Sequence, residues 1–123
     1  MYEHDALTER IIGCAIAVHR ALGPGLLEAT YEEAFCIELA EQGLRFSRQA
    51  GVPITYRGRP IGEYRPDVVI EEAVVVEIKS VERLIGLRQA QLLAYMQILK
   101  LQVGLLLNFN GETLRSGVRR LAI

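Results

Sequence analysis

Arg65-Pro66-Asp67-Val68-Val69-Ile70-Glu71-Glu72-Ala73-Val74-Val75-Val76-Glu77-Ile78-Lys79 reads as two short strands joined by a turn. The run 74–79 is the most β-branched in the chain, as a buried central strand requires. Glu71-Glu72-Ala73 serves as a three-residue connection, so Ile70 faces Val74. Strand side chains alternate, and Val68, Ile70, Val74, Val76 and Ile78 then share one apolar face. Asp67 falls opposite Glu77, and Arg65 opposite Lys79, on the other face. A slip of one residue would set Asp67 against Val76 and mix the two faces, so the apolar pattern itself selects the register.

Two carboxylates directly across a ladder disfavour both the pairing and their joint ionisation. A divalent cation offsets this, since Mg²⁺ is held by one or two carboxylates together with water and substrate phosphate. Lys79 points to the same side and can neutralise the pair, meet a phosphate or position an attacking water. The plainer alternative is a surface ion cluster in which Arg65 and Lys79 simply pair with the two acids.

Upstream, Leu7, Ile11, Cys14 or Ala15, Val18 and Leu22 recur at helical spacing until Gly23-Pro24-Gly25 breaks the run. A second helix starts around Leu26, with Leu27, Tyr31, Ala34 or Phe35, and Leu39 on one stripe. Glu32, Glu33 and Glu41 turn to solvent, and Gly43 ends it. Beyond Leu44 come β-prone runs at 52–56 and 61–70 about the turn Arg57-Gly58-Arg59-Pro60, with Pro53 and Pro60 suiting edge strands. Downstream, 84–99 is helical, with Leu84, Leu87, Leu92 and Met96 available to the sheet. Strands follow at 103–109 and 118–123. A helix between the 74–79 and 103–109 strands makes them parallel, while the earlier strands are hairpin-linked. The expected fold class is α/β, a mixed β-sheet flanked by helices.

The 123 residues, half of them apolar, suffice for one core, and we read 1–123 as a single domain. The longest apolar stretches, such as 11–18, fall well short of the ~20 residues that cross a bilayer. Met-Tyr-Glu-His-Asp is acidic where an export signal is basic, so the expected location is cytoplasmic, with no membrane partner. Cys14 and Cys36 sit among apolar neighbours without Cys-x-x-Cys spacing and do not cluster with His4 or His19, which points to buried free thiols rather than zinc. Net charge is −1, but unevenly spread. Residues 1–43 hold eight acids and two bases, and the remainder seven acids and twelve bases. A basic half that contains the candidate site suits a phosphate backbone, and equally an ordinary solvated surface with uneven charge.

Pro66-Asp67 followed by Glu77-Ile78-Lys79 resembles the PD-(D/E)xK signature of restriction-endonuclease-like nucleases. Gln91-Leu92-Leu93-Ala94-Tyr95 is similar to an accessory Gln-x-x-x-Tyr motif of that superfamily. Upstream, Gly25-Leu26-Leu27-Glu28-Ala29-Thr30-Tyr31 has the spacing of the GxxExxY family. Val18-His19-Arg20, Leu22-Gly23-Pro24-Gly25 and residues 104–109 look like that family too. The resemblance implies a restriction-endonuclease-like core. It implies catalytic roles for Asp67, Glu77, Lys79 and Gln91, with Mg²⁺ or Mn²⁺ held by Asp67, Glu77, the Ile78 carbonyl and Glu28.

The function so implied is metal-dependent hydrolysis of nucleic-acid phosphodiesters, with DNA ahead of RNA as partner. Glu28 otherwise favours the positive end of its helix. Tyr31 and Tyr95 suit packing, His19 a structural hydrogen bond, and Gln91 the orientation of Lys79 or of a phosphate. The competing function is a non-catalytic nucleic-acid or protein-binding module that keeps the fold. No zinc finger, appended DNA-binding domain or aromatic-rich platform marks a substrate. A homodimer is compatible with so small a domain, although no residue pattern establishes it.

Overall fold

In the computed structural model, which describes residues 4–123, the first two apolar stripes form α1 (Asp5–Leu22) and α2 (Glu28–Glu41). The start of the acidic N-terminal stretch lies outside the described residues. Gly23, at φ +69°, ends α1 in a left-handed conformation that a side chain would resist. Ile11, Ala15, Val18, Tyr31, Phe35 and Leu39 bury the inner faces of the pair.

The strands are β1 (Phe46–Arg48), β2 (Val52–Tyr56), β3 (Arg59–Tyr64), β4 (Val68–Ile70), β5 (Val74–Lys79), β6 (Val103–Asn108) and β7 (Val118–Ala122). Helix α3 (Gly86–Leu99) joins β5 to β6, and one turn of 3₁₀ helix (Arg115–Gly117) precedes β7. Five strands form a mixed sheet in the order β1-β4-β5-β6-β7, while β2 and β3 form a separate two-stranded ribbon. The β5 and β6 strands are parallel, as the intervening helix demands, and β4 and β5 are antiparallel. Their ladder pairs Ile70 with Val74 and Val68 with Val76, the register selected by the apolar pattern.

That register divides the core in two. Val68, Ile70, Val74, Val76 and Ile78 pack with α1 and α2, whereas Val75 packs with Leu92, Met96 and Leu106 beneath α3. Glu77 and Lys79 alternate onto the α3 side. Gly104 allows α3 to sit close, because a β-carbon there would come within 2.7 Å of the Met96 sulfur.

Four expectations need correction. Leu27 is not on the apolar stripe of α2, for it precedes the helix and is 79% exposed. The stretch 61–70 is not one strand: Pro66 offers no N–H, and the chain changes sheets between Tyr64 and Val68. Leu87 is not a sheet contact, for it lies in the first turn of α3 and is 59% exposed. Glu32 does not face solvent. It is buried beside the loop after β1, where Arg48 and Gln49 give it partners. The 46–48 strand, which pairs with β4, has no alternating pattern to announce it.

Candidate active site

The β4–β5 ladder stops at Val68, one residue before it would place Asp67 in line with Glu77. The two residues instead clasp each other through backbone and side chain. The Asp67 N–H donates to Glu77 Oε2 at 3.0 Å, and the Ile78 N–H donates to Asp67 Oδ2 at 2.8 Å. A carboxylate thus replaces the missing strand partner. In a strand the N–H and C=O of one residue point to the same edge, so the Ile78 carbonyl faces the Asp67 side. The backbone groups of Lys79 face the opposite edge, where its carbonyl accepts from the Phe109 N–H at 2.9 Å.

Glu77 is 8% exposed and takes its other hydrogen bond from the Tyr64 hydroxyl, 2.7 Å from Oε1. Tyr64 is held in turn by stacking on Tyr95 of α3, with ring centroids 3.8 Å apart. Burial and the adjacent Asp67 carboxylate push Glu77 up to about 7, against the stabilising hydrogen bonds from the Asp67 N–H and Tyr64. Burial, with the neighbouring Glu77 charge, also pushes the Tyr64 hydroxyl upward, so it remains a donor.

Behind Asp67 lies a second polar layer. Gln49, at φ +54°, spans Asp67 Oδ1 at 3.1 Å and Glu32 Oε1 at 3.0 Å through its amide nitrogen. Arg48 then donates to Glu32 at 2.6 Å and to Glu33 at 2.5 Å. Gln49, Tyr64 and Glu32 were not legible as site residues. Only Glu32 carried a signal, its i,i+4 spacing from Glu28.

The Gly25, Glu28 and Tyr31 cluster has a structural explanation. The Tyr31 hydroxyl donates to the Gly23 carbonyl and accepts from the Leu26 N–H at 3.1 Å, fixing the turn between the helices. Its ring stacks on Phe109 at 4.5 Å. Glu28 accepts from the Ser80 N–H at 3.0 Å, and the Ser80 hydroxyl donates to the Leu26 carbonyl at 2.8 Å. The motif therefore clamps the end of β5 directly after Lys79. His19 is a structural residue, with Nε2 2.9 Å from the Gly111 carbonyl.

Arg65 does not stand opposite Lys79. It turns to Glu63 at 3.2 Å, because the ladder has already ended. Among the described residues neither Asp67 nor Glu77 has a basic partner, which removes the simple ion-cluster alternative. Lys79 is half-buried and, among the described residues, makes no ion pair. Gln91 shares a helix face with Tyr95 and has no hydrogen bond to the acids. Cys14 and Cys36 are free and buried, and burial raises both thiols, Cys36 to about 11.

Asp67, Glu77 and the Ile78 carbonyl supply hard oxygen donors near the end of β5, and among the described residues neither acid is in an ion pair. This donor chemistry fits Mg²⁺ or Mn²⁺ with water completing the shell. Glu28 stands apart: among the described residues no three His, Cys, Asp or Glu side chains converge to hold a metal.

Comparison with protein families gives a match over residues 5–121 to the family described as the PD-(D/E)XK nuclease superfamily. Comparisons with curated proteins and with solved structures give no significant match. Among the described residues no helix is long and apolar enough to cross a membrane.

Proposed function

Since the chain belongs to the PD-(D/E)XK nuclease superfamily, we propose that it is a metal-dependent nuclease that hydrolyses nucleic-acid phosphodiesters at the Asp67–Glu77 clasp. The observation that carries this reading is a pair of adjacent carboxylates, in no ion pair among the described residues, with Lys79 two residues on from Glu77 at the end of the same strand. The wider GxxExxY resemblance is part of the same proposal.

Asp67, Glu77 and the Ile78 carbonyl are the groups that would hold Mg²⁺ or Mn²⁺, with Glu28 at the margin through its tie to Ser80. A bound cation would polarise a phosphoryl oxygen and acidify a water. Lys79 places a positive charge on the face of Glu77, where it steadies the attacking water and the charge that develops on phosphorus-bound oxygen. Gln91 orients Lys79 or a non-bridging phosphate oxygen. Tyr64 fixes the Glu77 carboxylate through Oε1, and Gln49 fixes Asp67 through Oδ1, so both acids are preorganised. In the reaction a water oxygen bonds to phosphorus, the bond to the leaving oxygen breaks, and that oxygen receives a proton.

The test is cleavage of single- and double-stranded DNA and RNA with Mg²⁺ and Mn²⁺ by wild type, Glu77→Ala and Lys79→Ala. Metal-dependent cutting by wild type alone is expected. Calorimetry of Mg²⁺ and Mn²⁺ binding should show an isotherm that Asp67→Ala removes, and equal binding by both proteins would sink the metal assignment. The second reading, a binding module that retains the fold, draws on the engagement of all four Asp67 and Glu77 oxygens by protein donors. Salt-sensitive binding without turnover would favour it.

A further inference from the structure

The β2–β3 ribbon stands outside the five-stranded sheet, and the body packs on it only lightly. Within it only Tyr64 is buried, whereas Tyr56 and Ile61 are 62% and 66% exposed. An isolated two-stranded hairpin is marginally stable in water, so a bare ribbon of this kind points to a covering ligand.

Charge identifies the class of ligand. Of the nearby arginines, Arg45 pairs with Glu71, Arg48 with Glu32 and Glu33, and Arg65 with Glu63. Arg57 and Arg59, at the tip, are in no ion pair among the described residues. The turn between them has φ +52° at Arg57 and +76° at Gly58, a tight hairpin loop that favours Asn, Asp or Gly at its first position. An arginine there is a poor choice for the turn and a good one for an anion. Its guanidinium lies 5.6 Å from the centre of the Tyr56 ring, which holds the charge at the tip. The only acid on the ribbon, Glu63, is already paired.

Shape narrows the class further. Strands of five and six residues make an arm about 17–20 Å long, and a two-stranded ribbon fits the ~12 Å major groove of a DNA duplex. The shift in register between Ile54 and Thr55 adds twist suited to following a groove. A single strand would call for several exposed aromatic rings, and the ribbon offers Tyr56. The root of the arm is Tyr64, which is bonded to Glu77.

We propose that the β2–β3 ribbon is a DNA-binding arm that lies in the major groove of a duplex, with Arg57 and Arg59 on its phosphates and Tyr64 tying the arm to the acidic site. The proposal rests on the nuclease reading and adds how the substrate is held.

Fluorescence anisotropy with a labelled DNA duplex, in chelator so that bound DNA stays intact, provides the test. Wild type is compared with Arg57→Asn combined with Arg59→Thr. Asn suits the turn and Thr the strand, so this variant keeps the ribbon. Duplex affinity should fall at least ~10-fold, and the log–log salt slope should become shallower by about 1.8, the value for two lost phosphate contacts. Unchanged affinity and slope would overturn the arm. So would an equal loss on single-stranded DNA of the same sequence, or a change in oligomeric mass with DNA affinity intact. Wild-type metal-dependent cleavage alongside unaltered binding by the variant removes the arm alone. If wild type neither binds nor cuts any nucleic acid, the nuclease reading itself falls.

Discussion

The two hairpins of this chain turn on similar loops in opposite surroundings. Arg57-Gly58 in β2–β3 and Glu71-Glu72 in β4–β5 are both pairs of residues at positive φ. The β4–β5 hairpin is covered on both faces and its ladder runs in register. The β2–β3 hairpin is largely exposed and slips by a residue midway. Burial, more than the turn, therefore fixes strand register, and a fixed register is what brings Asp67 to Glu77.

The largest expected contrast is in chemistry. Glu77→Ala and Lys79→Ala should each lower metal-dependent cleavage by about 10²–10³-fold or more, in assays with substrate above saturation. If either variant retains wild-type turnover, the buried hairpin is not the reactive one.

Packing gives the next. Ile78→Ala should cost about 2–5 kcal/mol by urea denaturation, whereas Ile61→Ala on the ribbon should stay within ~0.5 kcal/mol. Equal costs would erase the distinction between the hairpins.

A smaller effect comes from pH. Burial and Asp67 raise Glu77 from 4.5 to about 7 in the fold. A raised acid binds more protons folded than unfolded, so its contribution is full below 4.5 and is lost as pH climbs through about 7. Metal-free wild type should lose on the order of a few degrees of Tm over that window relative to Glu77→Gln. Parallel Tm profiles for the two proteins would contradict this.

The smallest concerns Tyr64→Phe, which keeps the stacking on Tyr95 and deletes one hydrogen bond. It should cost ~1 kcal/mol and raise Glu77 further, because the lost bond favours the charged carboxylate. Carbon-13 NMR of the Glu77 carboxyl would register the shift, and a downward movement would refute the role given to Tyr64.

What could be read beforehand follows the same division. The β4–β5 register, the β5-α3-β6 crossover and the positions of Asp67, Glu77 and Ile78 were legible because apolar periodicity encodes them locally. The ribbon was not separable from β4, since β3 is exposed up to Tyr64 and has no alternating buried face to mark where it ends. Glu32 was misread because an amphipathic stripe sends acids outward, and only the approach of Arg48 and Gln49 reverses that. Gln49 and Tyr64 reach Asp67 and Glu77 from distant sequence, a placement no local pattern carries.

The clamp between the helical pair and the far end of the sheet also bears on how the protein is made. The His19 hydrogen bond to Gly111 spans 92 residues, which at ~5–20 residues per second takes a ribosome about 5–18 s to span. Until β4 and β5 have been made, Ile11, Val18, Phe35 and Leu39 have no sheet strands to cover them. The nascent helical pair thus carries uncovered apolar surface until those strands follow it.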